Sequence, residues 1–108
     1  MEIVDRKLDN HLKGTILETF FHRKESHAEI QFGFVTIPPG ERVPLEGMSL
    51  HLEDEYSFII KGAIEGQSGG KPFQVKAGQA TLIPANEAHW ALNNSDEPCE
   101  IVWCLIKE

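Results

Sequence analysis

No part of this chain stays apolar for long. The longest uninterrupted run, Ile101 to Ile106, covers six residues, whereas a membrane-spanning helix needs about 20. The start, MEIVDRKLDN, lacks the apolar segment of a secretory leader, so no membrane partner is expected. Positive charge is scarce: 10 Lys and Arg stand against 17 Asp and Glu, for a net charge of −7. A phosphate backbone would be repelled over most of such a surface, and no helix suited to DNA is visible, so no nucleic-acid partner is expected. Cysteine is almost absent. Cys99 and Cys104 are the two thiols, and in an extended strand five residues span roughly 16 Å with opposite-facing side chains, so they cannot bridge each other. Free thiols fit a reducing compartment, which makes a cytoplasmic location the expectation. Finally, no long segment shows a 3.6-residue period, and no internal repeat is present.

What the sequence does contain is strand signal. Hydrophobic residues make up 41% and charged residues 25% of 108 residues, the composition of one globular domain with one core. In the first 13 residues Ile3, Val4, Leu8 and Leu12 are the apolar anchors. Strands are predicted at Gly14 to Phe21 and Glu29 to Ile37, with a charged loop between them and Pro38-Pro39-Gly40 as a stop. Further strands are predicted at Met48 to His51, Glu55 to Lys61, Ala63 to Gln67, Phe73 to Val75 and Cys99 to Ile106. Turn residues recur every 8 to 12 positions, which points to an antiparallel sandwich or barrel.

The stretch Gly78 to Asn93, GQATLIPANEAHWALN, is the most informative. Thr81, Leu82 and Ile83 form a short strand that Pro84 ends, and Pro84-Ala85-Asn86-Glu87 has turn chemistry, with Asn86 suited to positive φ. A hairpin return is predicted through Ala88 to Asn93. Alternation puts His89, Ala91 and Asn93 on one face and Trp90 and Leu92 on the other. His22, His27 and His11 sit among charged neighbours and read as exposed.

The pattern Gly78-x5-Pro84-x-Asn86-x2-His89-x3-Asn93 resembles the second motif of the cupins, with Asn86 where that family usually has glycine. Pro39-Gly40 followed by Glu55-x6-Gly62 resembles a degraded first motif. The resemblance covers about residue 30 to the end and implies an all-β fold, the antiparallel cupin double-stranded β-helix or jelly-roll barrel. Residues 1–28 would then be an amino-terminal arm or strands, and 29–108 the barrel of a single domain.

In that family two first-motif histidines, a glutamate and the second-motif histidine bind a metal. Spacing from Gly62 puts His51 at the second histidine and Ser49 at the first, so His51, Glu55 and His89 remain as metal ligands. If the strand runs unbroken through 49 to 55, Ser49, His51 and Glu55 share a face. Two imidazoles and a carboxylate with open positions suit Fe(II) and would accept Mn, Ni or Zn. An imidazole of ordinary pKa is mostly neutral and a glutamate ionised at pH 7, which is the binding form. Glu55 and His89 are the candidates to move protons, and Ser49, Ser57, Ala91 and Asn93 the candidate pocket walls.

The resemblance implies a metal-dependent enzyme acting on a small organic molecule by dioxygenation, isomerisation or decarboxylation. The alternative is a metal-free barrel that binds or senses a small ligand without turnover. Tyr56, Phe58 and Ile60 alternate away from the pocket side of their strand. Their cover would be the amino-terminal strands or a second subunit, and a homodimer is expected, as in other small cupins.

Overall fold

A computed structural model describes residues 1–7 and 13–108. Leu8 and Leu12, expected as apolar anchors, and His11, expected exposed, lie outside the described residues. Nine strands are found among those described: β1 (Ile16–Lys24), β2 (Glu29–Ile37), β3 (Arg42–Val43), β4 (Asp54–Lys61), β5 (Ala63–Ser68), β6 (Lys71–Lys76), β7 (Ala80–Ile83), β8 (His89–Leu92) and β9 (Cys99–Lys107). They form two antiparallel sheets, one ordered β1-β2-β9-β4-β7 and the other β3-β8-β5-β6. The segment expected as an amino-terminal arm or strands supplies β1, an edge strand of the larger sheet that overlaps the strand expected at Gly14 to Phe21.

Turn chemistry sets the layout. Gly69 and Gly70, both at positive φ, close the tight β5–β6 hairpin between Ser68 and Lys71. Asn86 takes the left-handed conformation expected of it, with φ 65°. The expected hairpin between β7 and β8 is not formed, however. Pro84 to Ala88 carries the chain from the larger sheet to the smaller, because β7 pairs with β4 while β8 pairs with β3 and β5. Nor is Met48 to His51 a strand; it makes one isolated bridge, Ser49 to His89, and regular pairing resumes only at Asp54.

Register defines an inner face. Across the larger sheet Thr19, Gly33, Trp103, Ser57 and Thr81 form one row, and Gln31, Leu105, Glu55 and Ile83 the next. Beyond Trp103, Ile37, Ile59, Cys99 and Ile101 are all buried and close one end of the sandwich against Val43, Ile64 and Val75 of the smaller sheet. Removing these side chains from water contributes about 1.5–3 kcal/mol for each large aliphatic. Cys99 and Cys104 are free, and their odd spacing along β9 faces them opposite ways, as expected. Burial pushes the Cys99 thiol up to about 11, so it stays protonated at neutral pH.

On the outer face the rows Phe32, Cys104, Tyr56, Leu82 and Phe34, Val102, Phe58, Ala80 run continuously across the sheet. Phe34 is covered by the amino-terminal segment, where Arg6 lies 4.1 Å above its ring and is held by Glu18 at 2.7 Å. Tyr56, Phe58, Ile60 and Leu82 remain 45 to 53% exposed.

Gly33 is required by packing. A Cβ there would stand 2.0 Å from the Glu18 carbonyl oxygen and 2.5 Å from the Trp103 ring, which lies across the position. Neither backbone nor a buried indole yields cheaply. Gly33→Ala is expected to destabilise by about 1–3 kcal/mol or more, the range for overpacked sites, read as a lower urea midpoint at unchanged slope.

Candidate functional site

Between the sheets, above the closed end, lies a cavity of about 560 Å³. That size suits a small organic ligand. His51, Glu55 and His89 converge on it, with donor atoms that all lie within 4.8 Å of one another. Glu55 comes from the start of β4, His89 from the start of β8, and His51 from the irregular segment before β4. The face-sharing expected of an unbroken strand through 49 to 55 is replaced by a bend that still delivers the imidazole.

Backbone bonds hold that segment in place. Ser49 N donates to His89 O at 2.8 Å and His89 N donates to Ser49 O at 3.0 Å. Asn86 N donates to His51 O at 2.8 Å, and Ala85 N donates to the Asp54 carboxylate at 2.8 Å. Asp54 thus ties the β7–β8 crossover to β4.

The two imidazoles are oriented in the same way. His51 Nδ1 lies 2.9 Å from Glu53 O and His89 Nδ1 lies 2.8 Å from Glu87 O, in each case the carbonyl of a residue two positions away. A carbonyl accepts only, so each Nδ1 carries the proton and each Nε2 presents a lone pair. The rings sit edge to face with centroids 5.0 Å apart. His51 Nε2 is 3.6 Å from Glu55 Oε1, beyond hydrogen-bond reach, and is buried without a partner among the described residues. Two lone pairs and a carboxylate therefore face one another without a donor between them. Neutral imidazole plus carboxylate is a donor set that divalent first-row metals take. Bonds of about 2.0–2.2 Å to one ion bring ligand atoms to roughly 3–4 Å apart, a spacing His51 and Glu55 already have. The residues present fit the group.

Of the expected wall residues, Ser49, Ser57 and Ala91 line the cavity, and all three are half-buried. Asn93 does not. It shares the parity of His89 and Ala91 but lies past the closed end, fully buried. Its amide donates to Ile37 O at 2.8 Å and Glu97 O at 2.9 Å, and its oxygen accepts from Ser95 N at 3.0 Å and Ser95 Oγ at 2.7 Å. Every donor and acceptor of that side chain is committed to pinning the β8–β9 loop onto β2.

Other wall residues escape a reading of the sequence. Trp103, Gln31 and Thr81 line the cavity, as does Glu87, whose carboxylate accepts from Ser68 Oγ at 2.6 Å. Parity with Ile101 is the signal that would place Trp103; nothing local marks Glu87 as inward. Trp90 also contributes to the wall, while the Arg42 guanidinium lies 4.7 Å above its ring.

A family model described as the cupin domain matches residues 33–105, and the chain belongs to that family. No curated protein matches the sequence. Among solved structures, the cupin domain of Cnp3 from Schizosaccharomyces pombe superposes with a TM-score of 0.76 at 16% identity, over 90% of this chain and 67% of that one. The protein TT1209 from Thermus thermophilus gives 0.73 at 18% identity, over 97% and 96%. A predicted oxalate decarboxylase from Thermotoga maritima gives 0.65 at 23% identity, over 75% and 81%. At these identities the likeness is one of fold, and the fold is the all-β jelly roll that the motifs implied.

Asn93→Ala would strand the buried Ile37 carbonyl and free the β8–β9 loop. The expected loss is about 1–3 kcal/mol for the unsatisfied group, measured by chemical denaturation.

Proposed function

We propose that this cupin binds one divalent metal ion through His51 Nε2, His89 Nε2 and the Glu55 carboxylate, and that it acts on a small organic molecule seated beside it. The observation that carries this reading is the meeting of three acceptors with both imidazole Nδ1 protons already committed to carbonyls. When bound, the metal supplies Lewis acidity toward a substrate oxygen. The chain supplies the rest. Glu53 O and Glu87 O hold the imidazole tautomers, and by accepting the Nδ1 protons they raise the basicity of each Nε2. Glu55, through the carboxylate oxygen that the metal leaves free, is the group placed to hold or pass a proton at the reacting end, His89 could do so only with the metal absent, and Ser49 and Ser57 offer hydroxyls beside them. Ser49 stands where a fourth protein ligand would be, which leaves room for substrate oxygens. Because cupins host many chemistries, the reading stops at a metal-dependent reaction class.

Protein purified without chelator is expected to carry about one divalent ion (Fe, Mn, Ni or Zn) per chain by elemental analysis. His89→Ala should fall to background while remaining folded. Wild-type protein that stays metal-free after incubation with each of these ions would leave the cavity to the alternative, a ligand-binding barrel without turnover.

The outer apolar rows support a homodimer as the working form. Tyr56, Phe58, Ile60 and Leu82 form an exposed apolar surface beside Phe34, over which Arg6 lies, and a second copy presents the same surface in return. Sedimentation at micromolar concentration should give twice 12.1 kDa, and Phe58→Glu should halve it; a monomer mass for the wild type refutes the pairing. Among the described residues no helix is long and apolar enough to cross a membrane. The two unpaired thiols support a cytoplasmic location.

A further inference from the structure

The segment that carries His51 has two sides. Ser49 and His51 line the cavity, whereas Met48, Leu50 and Leu52, which alternate with them, are 55, 64 and 61% exposed. Leu45 is exposed as well. From Pro44 to Leu52 the one acidic or basic side chain other than His51 is Glu46. Scattered apolar side chains are ordinary on a surface, but four exposed ones among eight consecutive residues beside a cavity mark an interaction site.

Where this surface leads indicates what covers it. Leu52 lies two residues before Asp54, a reach of at most about 7 Å, and Asp54 pairs with Ile106, which pairs with the exposed Ile30. The Asp54 carboxylate at this junction is committed to the crossover, where it accepts from Ala85 N at 2.8 Å. The next row on the same outer face is Phe32, Cys104, Tyr56 and Leu82. The apolar side of the segment therefore extends the outer face of the larger sheet. Area argues for the same occupant. A large side chain covers 150–250 Å² in full, so at about half exposure each offers roughly 100 Å². Phe32, Tyr56, Phe58, Ile60 and Leu82 together then offer roughly 500 Å², whereas a stable pairing buries about 800 Å² on each partner. Met48, Leu50 and Leu52 bring the surface to that size.

From this we infer that the interface between two copies of the chain extends from the outer sheet face onto residues 45–52, so that pairing and metal binding at His51 strengthen each other. The inference rests on the homodimer and metal readings and adds the coupling between them. Leu50 and Leu52, seated against a second copy, fix the backbone on both sides of His51. In the single chain that irregular stretch is secured by the isolated Ser49 to His89 bridge and by the bond from Asn86 N to His51 O. An ion held by His51 constrains the same backbone. Either event removes part of the ordering cost that opposes the other, and linkage makes the effect reciprocal.

The test compares full-length protein metal-free and loaded with zinc, which has no redox chemistry. Sedimentation equilibrium gives the dimer dissociation constant. Competition with a chromophoric chelator gives the zinc affinity at protein concentrations well below and well above that constant. Zinc should bind roughly fivefold more tightly to the dimer, the lower end of ordinary coupling. Two sites fill per dimer, so zinc should lower the dissociation constant by the square of that gain, roughly 25-fold. Leu50→Glu and Leu52→Glu place a charge in the interface at positions exposed in the single chain. Each should weaken pairing of the metal-free protein about tenfold or more and bring zinc affinity down to the monomer value; either one suffices if the other fails to fold. Phe58→Glu, on the sheet face away from the cavity, should lower zinc affinity to the same value, an effect that a local disturbance of His51 does not produce. A dissociation constant unmoved by zinc, a zinc affinity independent of protein concentration, or pairing unaffected by the leucine variants overturns the inference, and the last result leaves the segment to a different partner. A wild type that stays monomeric overturns the homodimer and this inference with it. A wild type that takes up no zinc overturns the metal reading and the coupling, while the leucine variants still decide how far the interface reaches.

Discussion

The seam between Ser49 and His89 is the constraint on which the cavity depends. Two short backbone bonds join the irregular segment before β4 to the first residue of β8, and a third joins Asn86 to His51 across the same opening. Because the crossover from β7 to β8 changes sheet, these bonds are also what fasten the two sheets together at the open end. The imidazoles need no separate positioning device. Each Nδ1 finds the carbonyl of a residue two positions away along its own chain, so the path that closes the sandwich also turns both Nε2 atoms inward.

The two ends of the sandwich are built on different principles. At the closed end Ile37, Ile59, Cys99 and Ile101 pack as an ordinary core, and Asn93 commits all its hydrogen-bonding capacity to a loop. Above it the two sheets enclose the cavity, whose floor Ile37, Ile59 and Ile101 also line. Apolar walls that face a cavity forgo the dispersion contacts they would have in a filled core. The stability of the domain therefore rests mainly on the closed end and on the long pairing of β2 with β9 and β9 with β4.

Much of this is legible in the residues. Strand signals at 29–37, 55–61 and 99–106 correspond to β2, β4 and β9 within one residue, because those strands are long, β-branched and bounded by Pro, Gly or Asn. The trio of His51, Glu55 and His89 follows from motif spacing, which survives even where the local structure is misjudged. What sequence misses are features that depend on partners distant along the chain. Strand signal at Met48 to His51 is correct in composition but has a single bridge available to it. The turn at Pro84 to Glu87 looks like a hairpin because turn chemistry reports a reversal and not which sheet receives the chain. Asn93 reads as a wall residue because alternation gives the face and not the depth. Glu87 and Trp103 are overlooked for related reasons: one is inward only because Ser68 meets it, the other because glycine at position 33 leaves room for its ring.

The chain has two tryptophans, Trp90 and Trp103, and both border the cavity. The Arg42 guanidinium lies over the ring of the first, and the second has its N–H buried without a hydrogen-bond partner among the described residues. No tryptophan elsewhere contributes background. Emission excited selectively from tryptophan is consequently a report from the cavity, and its wavelength and intensity follow whatever enters, without any label being attached.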